Sequence, residues 1–232
     1  MVIAIIGILA SLSLVAIAKI REDGRKDEAR RQIRALLNAT SEYFSDVGAY
    51  PVSSSVLNSV SASHGDFTYG GASLDAVFKG PGNWSMNNSE VIAILMDREK
   101  YPATGAPTVN FGHVKNTGQK KYLTSVDMAA DTASPGVGPD LVYRDPWGKP
   151  YIISFDLNYD ERCRDALYGK SSVSREKGSS GFNGLFNSDA DGASDQFEYH
   201  GPVMIWSLGS DRNADLGPAN SGLNRDNILS WN

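Results

Sequence analysis

The sequence lacks cysteine pairs and a basic surplus. It has one cysteine, Cys163, in 232 residues, which rules out an intramolecular disulfide framework and a multi-thiolate metal site. Its formal net charge is −5, so no cationic excess exists to neutralise phosphates, and nucleic acid is not expected as a partner. A composition of 41% hydrophobic and 21% charged residues is typical of one globular domain, with or without an appended element.

The motifs of common enzyme classes are also missing. The chain contains no H-E-x-x-H, no G-x-S-x-G and no phosphate-binding glycine loop with lysine. The histidines His64, His113 and His200 are far apart and belong to no motif. Cys163 lies between two arginines that could lower the pKa of its thiol, but no motif-linked histidine accompanies it. We therefore predict an incidental thiol and a protein that is not an enzyme.

Residues 1–18 contain no charged side chain. As a helix rising ~1.5 Å per residue, they would span roughly 27 Å, about one bilayer core. Three interpretations are open: a helix buried in a globular domain, a cleaved signal peptide without a basic start, and a membrane or filament-core helix, which we favour. Residues 19–34 carry seven basic and four acidic side chains. The positive-inside rule would place that side in the cytoplasm, unless a basic leader precedes residue 1.

A helical pattern continues beyond the uncharged segment. Tyr50-Pro51 disfavours helix at that point, so the helix should end near residues 46–48. The predicted division is a transmembrane or filament-core helix over 1–19 and an amphipathic continuation over 20–48. The stripe that defines the continuation repeats at three- and four-residue steps and consists of Ile33, Leu36, Leu37, Thr40, Phe44 and Val47.

Three later segments predict strands. Residues 151–155 and 203–208 are rich in β-branched and aromatic side chains, and 196–200 alternate between polar and apolar. Packed against the amphipathic half of the helix, they predict an α+β fold in which a long N-terminal α-helix packs on a small antiparallel β-sheet. A short helix is predicted over 89–100 with Ser89 as its cap, and the Ser/Gly-rich segment 171–184 is predicted to be a mobile loop.

Residues 187–198 match the pattern of a twelve-residue calcium loop. Oxygen-bearing side chains occupy loop positions 1, 3 and 5, glycine occupies position 6, and acids occupy positions 9 and 12. Alternate side chains on such a curve converge on one cation. A polar turn without an ion is the alternative, and no clear helices flank the segment. The candidate ligands are Asn187, Asp189, Asp191, Asp195 and Glu198.

A second acidic cluster lies closer to the C-terminus. Asp211, Asn213 and Asp215 alternate along the chain, and Asp226 and Asn227 follow. Leu216 stands where a calcium loop has glycine, and no glutamate closes the ring. The spacing alone is therefore a weaker indication of metal binding than that of the first loop.

Together these segments resemble the type IV pilins, and especially the major pseudopilin of type II secretion systems. The uncharged V-I-A-I-I-G-I-L-A-S-L run, the charged helix and the Tyr-Pro pair resemble the pilin N-terminal region. The D-P-W-G-K-P-Y segment at 145–151 resembles the pseudopilin "DPWG-x-x-Y" segment. The W-S-L-G-S-D run at 206–211, followed by R-D-N-I-L-S-W at 225–231, resembles its C-terminal calcium loop. The resemblance covers residues 1–51, 143–156 and 203–232.

The resemblance implies a ligand set in the second cluster. Asp211 and Asp226 become the expected calcium ligands, together with the Leu208 carbonyl and the Asn227 side-chain oxygen. Asn227 stands where the family tends to have aspartate, so a lower affinity is expected. The role would be structural, because a cation that neutralises mutually repelling carboxylates converts its binding energy into folding energy.

The sequence departs from the family in two respects. The leader and the first mature residues of the family, with their methylated terminus and glutamate, have no counterpart, so Met1 is expected to lie inside the mature helix. Residues 49–232 are predicted to form one globular pseudopilin-like domain. Within it, 52–140 is an unassigned elaboration, and 141–232 carries the sheet and the calcium loops.

The expected function is that of a structural subunit of a type IV pilus or type II secretion pseudopilus. Its apolar helix would polymerise it into a homo-oligomeric filament, and calcium would stabilise its domain. The implied partners are the inner membrane before assembly, the secretion or pilus assembly machinery and minor pilins. The implied location is the inner membrane with a periplasmic domain, or the filament itself. The alternative is a membrane-anchored or secreted calcium-dependent binding module.

Overall fold

The computed structural model describes residues 2–60, 65–189 and 192–232, and within the first helix it describes side chains from Ile17 onward. Five helices, nine strands and two 3-10 turns occur in this part of the chain. In chain order they are α1 Val2–Val47, α2 Ser54–Ser59, β1 Asp66–Tyr69, α3 Gly71–Phe78, α4 Ser89–Leu95, a 3-10 turn Phe111–His113, β2 Gly136–Val137, β3 Tyr143–Arg144, β4 Ile152–Asp156, β5 Arg162–Cys163, α5 Ser171–Ser174, β6 Phe186–Asn187, β7 Phe197–His200, β8 Val203–Ser207, a 3-10 turn Gly222–Asp226 and β9 Ile228–Leu229.

The helix α1 is continuous from Val2 to Val47 and ends where the sequence predicts. Gly48 follows it with φ of +75°, a conformation that costs glycine little. Its N–H donates to the Phe44 carbonyl at 2.8 Å, which satisfies one of the last carbonyls of the helix.

One face of α1 is buried against the domain, as the predicted stripe requires. Ile33, Leu36 and Thr40 are at most 2% exposed, and Leu37 and Phe44 are half-buried. Val47 is 44% exposed, so the prediction that it belongs to the buried stripe is wrong. The pattern missed further members of the buried face, namely Ala29, Gln32, Ala39 and Tyr43.

The central sheet is antiparallel with the strand order β1-β4-β8-β9. Successive residues of β4 and β8 alternate between its two faces. Ile153, Phe155 and Ile205 belong to the core that contains the α1 stripe. Trp206 and Met204 belong to a second core on the opposite face. Both faces are therefore covered, which explains why β4 and β8 are fully buried.

A second layer covers the face that α1 leaves open. It consists of the three-stranded sheet β5-β7-β6 and α5. The predicted strand at 196–200 is β7 of this layer rather than part of the central sheet. The segment 171–184 is not simply a loop, because it begins with α5 and buries Val173 and Ser174 completely.

The elaboration 52–140 is integrated into the domain over its described residues. It supplies β1, which pairs with β4 from Asp66↔Asp156 to Tyr69↔Ile153, and α3 and α4. The helix α4 is shorter than predicted, and Asn88 rather than Ser89 is its N-cap residue. The Asn88 side chain bonds the backbone of Tyr143 and Tyr151.

The architecture is thus α+β, a long N-terminal helix packed on an antiparallel sheet within a loop-rich domain. This arrangement is compatible with a pilin-like fold.

Candidate functional site

The second predicted calcium cluster lies in the loop between β8 and β9. These strands pair with Trp206 opposite Leu229 and Ser207 opposite Ile228. Residues just after β8 and just before β9 are therefore neighbours in space, although more than fifteen positions separate Asp211 from Asn227 in sequence.

Gly209 lets the two ends of this loop come together. Its φ is +67°, and a Cβ atom built on it would lie 2.2 Å from the Asp226 carbonyl oxygen. A side chain would meet backbone there, so only glycine allows this approach. Leu208 precedes it and is 1% exposed. The S-L-G run is thus required by the packing of the loop.

Asp211 and Asp226 are brought into contact. One Asp226 oxygen, Oδ2, accepts the Asp211 N–H at 3.0 Å and the Ser210 hydroxyl at 2.6 Å. Burial raises the pKa of Asp211, and the nearby carboxylates of Asp226 and Asp215 raise it further. This close group of acids is the electrostatic arrangement that a cation would relieve.

Asp215 and Asn213 are held by local hydrogen bonds. Asn224 accepts the Asp215 N–H at 3.1 Å and donates to the Asp215 carbonyl at 2.9 Å. The Asn213 N–H donates to Asp211 Oδ1 at 2.9 Å. These contacts order the loop without directing all of its carboxylates to one point.

Only one of the two polar side-chain atoms of Asn227 forms a hydrogen bond in the described structure. Its Nδ2 donates to the Tyr168 hydroxyl at 2.8 Å. Its Oδ1 is buried and has no hydrogen-bond partner in the described structure, which is costly for a carbonyl oxygen. Calcium prefers carbonyl and carboxylate oxygens, so this oxygen, the Leu208 carbonyl and the carboxylates of Asp211 and Asp226 stay the predicted ligands.

The D-P-W-G turn is hydrogen-bonded to β8, the strand that leads into the second predicted calcium cluster. Asp145 is fully buried and its Oδ2 accepts the Ser207 hydroxyl at 2.6 Å. Its Oδ1 accepts the N–H groups of Trp147 and Lys149 at 3.0 and 2.9 Å. Burial raises the pKa of Asp145. Trp147 Nε1 donates to Glu22 at 3.3 Å, so the turn connects α1 to the strand that leads into the cluster.

The first predicted calcium loop, 187–198, contains the hairpin of β6 and β7. Asn187 pairs with Phe197 and Phe186 pairs with Glu198, so Asn187 and Glu198 point to opposite faces. Asn187 Oδ1 accepts the Asp189 N–H at 2.8 Å. Asp191 lies outside the described residues.

The two closing acids of this loop have other partners. Asp195 accepts the Ser171 N–H at 2.8 Å and binds Lys170 at 3.2 Å. Glu198 binds Arg164 through a short charge-assisted hydrogen bond. These described residues therefore do not converge, and the calcium loop at 187–198 stays a prediction that would need Asp195 and Glu198 to leave these partners.

Among the described residues, Cys163 and the histidines do not lie together in a catalytic arrangement. Cys163 is completely buried, and burial raises the pKa of its thiol far above the ordinary value. The expectation that flanking arginines could lower it is wrong, because Arg164 turns to Glu198. His113 hydrogen bonds with Asp97 at 2.8 Å, His200 contacts the Phe186 ring, and His64 lies outside the described residues.

A groove with a volume of about 830 Å³ lies beside α1. Three of its aromatic rings pack on one another, Phe44 on Tyr50 at 4.7 Å and Tyr50 on Tyr159 at 5.6 Å between centroids. Tyr159 is 49% exposed. Thr40 also lines the groove, is 1% exposed, and has an Oγ1 with no hydrogen-bond partner in the described structure.

The described part of the chain contains neither a candidate membrane span nor a candidate metal cluster. None of its helices is both long and apolar enough to cross a membrane. The side chains of residues 1–16, most of the segment predicted to do so, lie outside the described residues. Nor do three or more His, Cys, Asp or Glu side chains of the described ranges form a group that could hold a metal ion.

Comparison of the chain with protein-family models, with curated proteins and with solved structures gave no match.

Proposed function

We propose that the chain is a structural subunit of a type IV pilus or type II secretion pseudopilus, and that calcium stabilises its domain. One observation carries the proposal. The helix α1 begins at Val2, yet its first buried described side chain is Ala29. Over its described side chains, from Ile17 onward, this helix of 46 residues, roughly 70 Å long, enters the core of the domain only from Ala29.

The sequence of the remaining helix supports a filament. Residues 1–18 are uncharged, and an apolar helix needs lipid or other apolar helices around it unless its own domain covers it. A bundle of such helices, one from each subunit, would cover it in a polymer. Exchange of lipid for protein contacts is nearly neutral in free energy, so an assembly machine is implied.

The D-P-W-G and S-L-G-S-D segments support the pseudopilin form of the proposal. They resemble the family in order and also contact one another through Asp145 and Ser207. Calcium would bind through Asp211, Asp226, the Leu208 carbonyl and Asn227. The cation would supply charge neutralisation, and the chain's own residues would hold the β8–β9 loop against neighbouring subunits.

Cysteine cross-linking in cells tests the filament directly. Cys163 is buried, so the natural thiol is protected and a single new cysteine reports its own surroundings. Ile20 is 69% exposed on α1 and Val114 is 65% exposed on the domain, which makes them a matched pair. Ile20→Cys should give disulfide-linked dimers in the assembled state, because α1 helices of neighbours pack together, and Val114→Cys should give few. Equal cross-linking at both positions, or none at Ile20, would contradict the proposal.

A second candidate function is a membrane-anchored or secreted calcium-dependent binding module. The aromatic groove with exposed Tyr159 and unpartnered Thr40 favours it, since aromatic faces bind sugars and apolar peptide side chains. This alternative expects monomers after detergent extraction and binding of a soluble oligosaccharide that Tyr159→Ala removes. Filaments that persist in the Tyr159→Ala variant, without any such binding, would exclude it.

A further inference from the structure

A groove of about 610 Å³ lies beside the D-P-W-G turn, between that turn, α3 and the β8–β9 loop. We call it the cationic groove, because no Asp or Glu is among the described residues that line it, whereas three basic side chains are. Its walls are otherwise largely apolar. The apolar lining includes Ala76, Val77 and Leu223, and the basic side chains are those of Arg144, Lys149 and Arg212.

Two of the three cations in this groove have no ionic partner. Arg144 binds Asp140 at 2.6 Å, whereas Lys149 and Arg212 form no ion pair with any carboxylate of the described residues. Arg212 is exposed and Lys149 is half-buried. The acid that precedes Arg212 in sequence, Asp211, belongs to the predicted calcium cluster. The cationic groove therefore suits a partner that presents both an apolar group and negative charge.

The chain carries such a surface in the loop 158–161 after β4, which we call the acidic loop. The ring of Tyr159 is 49% exposed, and the side chains of Asp160 and Glu161 are exposed. Neither acid forms an ion pair with a basic side chain of the described residues. The acidic loop thus has the apolar group and the negative charge that the cationic groove lacks.

Hydrogen bonds to one buried carboxylate hold the acidic loop in a fixed shape. Tyr159 and Glu161 have φ of 61° and 62°, a left-handed conformation that is uncommon for residues with a side chain. Asp156 is fully buried, and its two oxygens accept the N–H groups of Tyr159 and Glu161 at 2.7 and 2.8 Å. Arg162, the next residue, lies 4.0 Å from Glu198 rather than beside the two acids. A loop that is already ordered loses little conformational entropy when it binds.

The cationic groove and the acidic loop lie at opposite ends of the domain along α1. Trp147, which lines the groove, donates to Glu22 at 3.3 Å, whereas the Tyr159 ring lies 6.2 Å from that of Phe44. Glu22 and Phe44 are 22 positions apart, or about 33 Å along a helix. A contact between two different surfaces is heterologous, and its repetition builds a ring or an open filament rather than a closed dimer.

We infer that the acidic loop of one subunit binds the cationic groove of the next subunit, head to tail. Asp160 and Glu161 face Lys149 and Arg212 across this contact, and the exposed ring of Tyr159 covers the apolar walls of the groove. The inference deepens the proposed function and rests on it, because the second copy is the next subunit of the filament. A loop of this size covers less area than a stable interface needs, so the contact fixes the register of subunits that α1 holds together.

Paired cysteines in the full chain test the contact in cells that also make the assembly machinery. One epitope-tagged copy carries Glu161→Cys and a second, differently tagged copy carries Arg212→Cys, while the natural Cys163 is buried. Mild oxidation should link the two copies, and each variant expressed alone should give little dimer, because unlike surfaces meet. Leu223→Cys, 40% exposed in the groove, is a second groove position. Arg98→Cys, at an exposed arginine outside both surfaces, is the matched control.

Charge exchange tests the ion pairs of the contact. Lys149→Glu in the Arg212→Cys copy should lower the yield of linked dimer about threefold or more, because an exposed ion pair contributes up to about a fivefold factor and repulsion adds to its loss. Asp160→Lys in the Glu161→Cys copy should restore most of that yield. Lys100→Glu, which changes the net charge equally at an exposed lysine outside the groove, should leave the yield within about twofold. Thermal melts of the purified variants verify that they are folded.

Each result supports or overturns the inference. Equal yields with Arg212→Cys and with the Arg98→Cys control overturn it, and so does a yield that charge exchange does not change. Cross-links through Ile20→Cys without the Glu161–Arg212 dimer would refute this contact and leave the filament proposal standing. The Glu161–Arg212 dimer without Ile20→Cys cross-links would support the contact and refute polymerisation through α1.

Discussion

At the scale of single residues, Asp226 joins the two ends of the β8–β9 loop. Its carboxylate accepts hydrogen bonds from Ser210 and Asp211, and Gly209 packs against its backbone. This contact brings a second carboxylate, that of Asp211, close to Asp226. The pKa of Asp211 is raised by burial and by its acidic neighbours. A bound cation removes that repulsion.

Calcium should therefore stabilise the domain through these two acids. At a concentration about 100 times its dissociation constant, an ion stabilises by about 2.7 kcal/mol, which corresponds to a rise in melting temperature of about 5–10 °C for a chain of this size. Asp211→Ala combined with Asp226→Ala should lose that rise and abolish filaments.

Scanning calorimetry with calcium and with a chelator measures the effect. Asp23→Ala with Glu161→Ala removes two exposed carboxylates elsewhere and should keep the calcium response. An unchanged response in the Asp211 and Asp226 variant would remove the structural role of calcium from the account.

Asp66 should make stability depend on pH. The pKa of this carboxyl is raised to about 8, chiefly by burial and also by Asp156 and Asp160, against the lowering effect of the Arg164 N–H. A pKa raised by folding means that the native state holds the proton more tightly. Its stabilising contribution is complete below the unfolded pKa of about 4 and is lost as the pH rises to about 8.

The Asp66→Asn variant should remove this loss. Its melting temperature relative to the natural chain should rise between pH 5 and pH 9, by at least about 3 °C at the upper end, which is the shift that about 1 kcal/mol produces in a protein of this size. Parallel melting profiles for the two proteins over this range would show that Asp66 titrates normally.

At the scale of elements, α1 was the most predictable part of the fold. Its apolar stripe identified Ile33 and Leu36 as buried, and Tyr50-Pro51 placed its end correctly near Gly48. These features are local, because a helix repeats every few residues and its stop signals lie in the same stretch of sequence. The strands β4 and β8 were predictable for the same reason, from dense β-branched and aromatic residues.

The elements that were missed depend on contacts distant in sequence. The strand β1 lies in the segment 52–140, which the sequence left unassigned, and its four residues become a strand because they pair with β4. The N-cap of α4 was displaced to Asn88 because that side chain also bonds Tyr143 and Tyr151. At the candidate site, sequence identified Asp211 and Asp226, but no local pattern shows that Asn227 bonds the hydroxyl of Tyr168.

The packing of α1 on the sheet can be tested by one truncation. Leu36 is 0% exposed, so Leu36→Ala should cost about 3 kcal/mol of unfolding free energy, within the range for buried leucines. Val47→Ala, at a position 44% exposed on the same helix, should cost less than about 0.5 kcal/mol. Denaturant unfolding of both variants gives the comparison. Equal, small losses would show that α1 does not pack on the domain in solution.

At the scale of the whole molecule, one helix has two environments. From Ala29 to Tyr43 its inner face belongs to the core of the domain. Toward Val2 it continues as a helix whose sequence is uncharged over residues 1–18. The sheet, the D-P-W-G turn and the C-terminal loop all belong to the domain, so a cation bound at the β8–β9 loop would leave the helical bundle of the proposed filament undisturbed. This difference between the two parts of α1 is the reason for the filament proposal.

The central claim is that the chain polymerises through α1. Electron cryomicroscopy of the protein isolated from cells that make it together with their own assembly machinery tests this most directly. The account predicts helical filaments in which the α1 helices form an axial bundle and the domains, with their β8–β9 loops, form the outer layer. A population that consists only of single subunits in membranes or micelles, or a polymer with α1 on its outer surface, would contradict the claim.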